Sequence, residues 1–310
     1  MENTILRMLT RRAPLLKNRL QPSFSQSHKP QRRAFMSNGR PFWSRESNPW
    51  TRILGPNVSG SSITARAFHS SPEAAHRGYI GAKRVLWTMI GLNTAVFGAW
   101  QVAEATKNHE LLGKLHRHAL LSQRNIDSGR YYTFVTNAFS HKDLGHFVFN
   151  MMALHAFGTV ASGHGIGGVH MTMLALGSAI ASSYALYYQR SSKDKFKKSA
   201  SGIWQRFGNG NTRVIEIWHG LGASGIVMGM GATATLLAPM ARIAVFFVPM
   251  PLFVLTAGYV AFDFYHLDSE TSRVGHAAHL GGLAFGAAYY LTSLRGYGGV
   301  WQWVRRGLRR

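Results

Sequence analysis

The sequence contains no cysteine. Disulfides, thiolate nucleophiles and thiolate metal sites are therefore excluded, and any chemistry must use serine, histidine, lysine or carboxylates. Acidic residues are scarce as well: 12 Asp and Glu stand against 35 Lys and Arg, a formal net charge of +23 over 310 residues. An imbalance of that size can signal nucleic-acid binding, but here the positive charge is unevenly placed. Residues 1–78 hold 13 Lys and Arg against Glu2, Glu46 and Glu73 alone, with abundant Ser, Asn and Pro and no sustained apolar run. Arg-rich, Ser-rich and acid-poor is the composition of an organelle transit peptide. Within it, "ILRMLTRRAPLLKNRL" mixes apolar and basic residues as a short amphipathic helix does, until Pro14 breaks the pattern. Residues 1–75 are accordingly expected to be a disordered basic presequence, separate from a folded domain over 76–310.

Charge itself is missing from long tracts further on. The runs 85–103, 144–162, 165–188, 219–241, 243–262 and 274–294 carry no Asp, Glu, Lys or Arg. Each is close to the ~20 residues that cross ~30 Å of hydrocarbon, and six such runs do not fit a soluble core. The expected fold is an all-α membrane protein, a bundle of six transmembrane helices in the lipid bilayer. Pro249 and Pro251 fall inside the fifth run and are expected to kink that helix. The stretch 190–213, with seven Lys and Arg and one Asp, reads as a solvated loop that can touch anionic headgroups.

Polar residues inside such runs are costly and therefore informative. The second run holds His146 and Asn150, four residues apart and so on one helix face. The fourth holds Ser224 within "HGLGASGIVMGMG", and the sixth holds His276 and His279. In a six-helix bundle the even-numbered helices run the same way, which brings Ser224 and His279 to one depth, roughly 7–8 Å below one face. Gly222, Gly225 and Gly229 surround the serine, while Gly282 and Gly286 follow His279. Small residues at that spacing let membrane helices approach closely, near enough for an imidazole to take a serine proton. His146 and Asn150, with the Ser224 backbone N–H, are candidates to stabilise the oxyanion of acyl transfer. No acidic residue lies near His279 in sequence, which points to a Ser–His dyad without an orienting carboxylate; Asp263, at the end of the fifth run, is the one acid that could contradict this. Zinc-protease H-E-x-x-H is absent, and no metal or cofactor is expected.

"HKDLGHFVFN" (141–150), "GASG" (222–225) and "HAAHLGGLAFG" (276–286), in that order on alternate runs, resemble the rhomboid family of intramembrane serine proteases. The resemblance covers about residues 80–295. With a basic N-terminus in which "RAFHSSP" (66–72) resembles a mitochondrial processing site, it is to the mitochondrial branch. It implies Ser224 as nucleophile, His279 as base, His146 and Asn150 as oxyanion donors, and His141 as a structural residue. Where the family often has Trp-Arg in its first loop, this chain has "GRYYT" (129–133), with Arg130 followed by Tyr131. The implied activity is cleavage of single-span membrane proteins of the mitochondrial inner membrane, in or near their transmembrane helix. A mitochondrial dynamin-like GTPase is one candidate substrate, and no nucleic-acid partner is implied. The alternative is an inactive rhomboid-like protein that binds transmembrane helices for transport or quality control.

Overall fold

The computed structural model describes residues 72–205, 219–245, 248–269 and 274–308, excepting the side chains of 194–205. The presequence expected over 1–75 lies outside these residues except for its last four, which already belong to a helix. That helix, α1 (Pro72–Ala105), opens on a proline whose missing N–H costs nothing in a first turn. Ala82, Leu86, Met89, Asn93 and Trp100 line its buried stripe, whereas Trp87, Leu92 and Val102 project outward.

The connection to the next long helix is built from short pieces. They are α2 (His109–His118), capped by the Asn108 side chain on the Leu111 N–H at 3.0 Å, then α3 (Gln123–Asp127) and α4 (Thr133–Thr136). A 3₁₀ turn over Asn137–Phe139 follows, and Trp100 reaches across from α1 to donate its indole N–H to Ser140 Oγ at 2.6 Å. Next come α5 (Leu144–Gly163) and α6 (Gly168–Gln205), then α7 (Ser224–Leu237), α8 (Leu252–Tyr265), α9 (His276–Tyr289) and the short α10 (Val300–Gly307).

Each of the apolar runs holds one of the helices α1, α5, α6, α7, α8 and α9. Three helical stretches are long and apolar enough to cross a membrane: Pro72–Ala105, Leu144–Gly163 and Gly168–Lys193. The other three helices, α7, α8 and α9, have 14 residues each. The fold is mostly helical, with α7 at its centre against α5, α6, α8 and α9, and α1 outside α5 and α6. Nearly all of α7 is buried. By contrast, Val148, Met152, Met173, Tyr184, Phe253 and Phe264 point away from the bundle, an arrangement that suits an apolar surround.

Two expectations need correction. The fifth run does not begin as a kinked helix. Its first part is an antiparallel hairpin of β1 (Arg242–Val245) and β2 (Val248–Pro251), with Arg242 opposite Pro251 and Ala244 opposite Pro249. Pro251 then caps α8 in an extended conformation, so both prolines stand before the helix, where an absent N–H removes no helical bond. The basic stretch from 190 is not wholly a loop either: α6 continues as helix to Gln205, and residues 206–218 lie outside those described.

Candidate active site

Ser224 is the first residue of α7, partly exposed, with Ala223 in the capping position and no side-chain cap on the helix. The first N–H groups of a helix have no partner within it. At this terminus they point toward the serine end and create a positive, donor-rich environment.

The strand of chain leading to Ser224 is tied down at three points. Gly220 and Leu121 exchange backbone hydrogen bonds at 2.8 and 2.9 Å. The Gly222 N–H donates to the Asn137 carbonyl at 3.0 Å, and the Ala223 N–H donates to His141 Nε2 at 3.2 Å. Asn137 is itself anchored, its amide donating to Ser183 Oγ on α6 at 2.8 Å while the Ser183 hydroxyl donates to the Phe134 carbonyl at 2.8 Å. His141, fully buried, thus helps hold the loop ahead of Ser224. Burial, with the neighbouring His146 adding to it, pushes its imidazole down to about 3, so it stays the neutral acceptor that Ala223 requires.

His146 is the third residue of α5, in a first turn capped by Asp143, whose carboxylate accepts the His146 N–H at 2.7 Å. Its ring lies across Gly222 and meets His141 edge-on at 5.1 Å. Gly222 has φ +119°, and a β-carbon there would stand 2.8 Å from His146 Cε1; both conformation and space demand glycine. Asn150 is one turn deeper and buried, donating one amide hydrogen to the His146 carbonyl at 2.7 Å, which leaves its second for another acceptor.

His279 lies in the first turn of α9. Its level relative to Ser224 is set by glycine. A β-carbon on Gly282 would be driven into the Gly225 carbonyl, and one on Gly286 into the Gly229 carbonyl, so α7 and α9 run parallel with their backbones in contact. A β-carbon on Gly225 would lie 3.8 Å from the Ala278 carbonyl, one residue from His279. The structure therefore gathers the starts of α5, α7 and α9 at one end of the bundle. Among the described residues no hydrogen bond joins Ser224 Oγ to His279; such bonds often tighten only when substrate is bound.

The inference of a base without a carboxylate does not hold. Asp263 on α8 is 1% exposed, and its Oδ1 lies 3.0 Å from His279 Nδ1 and 2.7 Å from His276 Nδ1. Only its position at the edge of the fifth apolar run signalled it. Asp263, His276 and His279 are also the group among the described residues close enough to share a cation, their ligand atoms within 4.8 Å of one another. Here direct hydrogen bonds link them.

A family model, the rhomboid domain, matches residues 128–296, more than half of the chain, including His146, Asn150, Ser224, Asp263 and His279. The chain belongs to the rhomboid family. It is 28% identical over 213 residues to RHOMBOID-like protein 12, mitochondrial, of Arabidopsis thaliana, covering 68% of this chain and 59% of that protein. It is 28% identical over 210 residues to Rhomboid protein 1, mitochondrial, of Saccharomyces cerevisiae, covering 67% and 52%. With Presenilin-associated rhomboid-like protein, mitochondrial, of Rattus norvegicus it shares 25% over 240 residues, 72% of this chain and 51% of that one. The chain thus spans little more than half the length of these mitochondrial rhomboids.

Proposed function

We propose that this rhomboid is an intramembrane serine endopeptidase. The six helices α1, α5, α6, α7, α8 and α9 span the mitochondrial inner membrane and hydrolyse a peptide bond in or beside the transmembrane helix of a single-span protein. Ser224 Oγ attacks the carbonyl carbon while its proton passes to His279 Nε2. The carbonyl oxygen becomes an oxyanion held by the Ser224 N–H, His146 and the free amide hydrogen of Asn150. Collapse of that intermediate breaks the C–N bond, the leaving amine takes the proton from His279, and water releases the acyl group by the same steps in reverse. Donors already aimed at the developing charge cost no reorganisation, and losing one typically costs ~3 kcal/mol of barrier.

The observation that carries this reading is the glycine contact between α7 and α9. Gly282 packs its backbone against that of Gly225, the close approach that a short serine and an imidazole on separate helices need in order to meet. A packing role alone does not account for the other feature of the site, a loop ahead of Ser224 fixed from three directions.

Co-expression with a tagged single-span mitochondrial protein tests it, for instance a dynamin-like GTPase precursor, comparing the natural chain with Ser224→Ala. Cleavage lost in the variant, at normal levels of inserted protein, is the expected result. Equal cleavage by both would remove Ser224 as nucleophile.

A further inference from the structure

One carboxylate in this bundle serves two imidazoles, although the reaction needs only one. His276 Nδ1 is 2.7 Å from Asp263 Oδ1, closer than His279 Nδ1 at 3.0 Å from the same oxygen and 3.2 Å from Oδ2. We propose that His276 acts through Asp263 as a positioning residue for His279, making the working unit a chain of four: Ser224, His279, Asp263 and His276. The inference rests on the protease reading above.

The chemistry follows from the acceptor. An ionised carboxylate has no hydrogen to give, so each histidine facing Asp263 must carry its hydrogen on Nδ1. For His279 that fixes the tautomer and leaves the Nε2 lone pair as the only site for the serine proton. A carboxylate so enclosed is stable only when several donors satisfy it. His279 supplies one and His276 the second, and two donors converging on Oδ1 hold the carboxylate against rotation. His276 is held in its turn. It is 3% exposed, its ring lies 5.5 Å from His266 in a stacked arrangement and 5.6 Å edge-on from Phe262, both at the end of α8. Three-residue spacing in the first turn of α9 presents both histidines to the α8 face that carries Asp263. During turnover the Nδ1 hydrogens stay in place. The proton that moves travels between Ser224 Oγ, His279 Nε2 and the leaving amine, so Asp263 and His276 gain and lose nothing.

The simpler view makes His276–Asp263 a tie between α8 and α9 with no bearing on turnover. Two substitutions separate the views, because the side-chain amide of asparagine sits where Nδ1 does and that of glutamine reaches where Nε2 does. The full chain is purified in proteoliposomes, and kcat and KM are measured on a single-span substrate together with the melting temperature. His276→Asn is expected to keep kcat within about threefold of the natural chain. His276→Gln is expected to lose roughly tenfold or more in kcat with KM unchanged, a partial loss of general-base efficiency. Asp263→Asn, which offers one acceptor oxygen in place of two, is expected to fall further. Equal turnover by the Asn and Gln variants, whether both are normal or both are dead, overturns the inference. Ser224→Ala runs alongside: cleavage surviving in that variant overturns the protease reading itself, whereas its loss together with equal Asn and Gln variants overturns only the role of His276.

Discussion

Gly225 on α7 and Gly282 on α9 touch through their backbones, and one turn deeper Gly229 and Gly286 repeat the contact. A side chain at Gly282 or Gly286 must push α9 away from α7 and carry His279 away from Ser224, whereas one at Gly225 or Gly229 would first meet Ser182 or Ser178 on α6. Gly282→Ala is therefore expected to lower the melting temperature by an amount equivalent to ~1–3 kcal/mol and to abolish cleavage. Gly98→Ala is the control, since a β-carbon there meets nothing within 4 Å; it should be neutral or slightly stabilising. Normal cleavage by Gly282→Ala would mean the two helices have room that the structure does not show.

Gly222→Ala combines a strained left-handed φ with a collision at the His146 ring. Labelling of Ser224 by a fluorophosphonate should fall at least tenfold, on the order of a lost transition-state contact, with insertion unchanged. Undiminished labelling would show that the His146 ring does not need its place over Gly222.

Asn150→Ala removes the amide hydrogen assigned to the oxyanion. A fall of about 10²–10³ in kcat with KM held is expected, measured on the purified chain. A rise in KM at constant kcat would instead place Asn150 in substrate binding.

His141 gives the fold an acid-sensitive point. In the folded chain burial, and secondly the charge of His146, keep it from taking a proton until about pH 3. An unfolded chain takes that proton near the ordinary histidine value of ~6.5. Between those values the unfolded state binds more protons, so stability falls as pH falls, by at most about 1.4 kcal/mol per unit from this group. Melting curves from pH 7 to 4 should show the decline, and His141→Phe should flatten it while reducing cleavage, because the Ala223 N–H loses its acceptor.

Much of this arrangement can be read in the chain before any coordinates. Six charge-free runs mark six helices, and the order of His146, Asn150, Ser224 and His279 along alternate runs anticipates that their helices start at one end. Hydropathy has no power, however, over "RIAVFFVPMP", where a β-hairpin and a membrane helix are equally apolar and only the prolines hint at an interruption. The helical continuation of α6 past Arg190 was hidden for the opposite reason, since a charged helix and a charged loop share a composition. Asp263 and the Asn137–Ser183 link are long-range: nothing local to Asp263 says that two histidines from α9 will share its carboxylate, and nothing local to Asn137 says that it will hold Gly222.

α8 is 14 residues long, roughly 21 Å of helix, and turns Phe253 and Phe264 outward. On the proposed reading that α8 crosses a bilayer, whose acyl layer is about 30 Å thick, lipid beside it would have to thin by several ångströms to match it. For the proposed protease, that flank would offer a guest polypeptide a thinner stretch of bilayer in which to unwind.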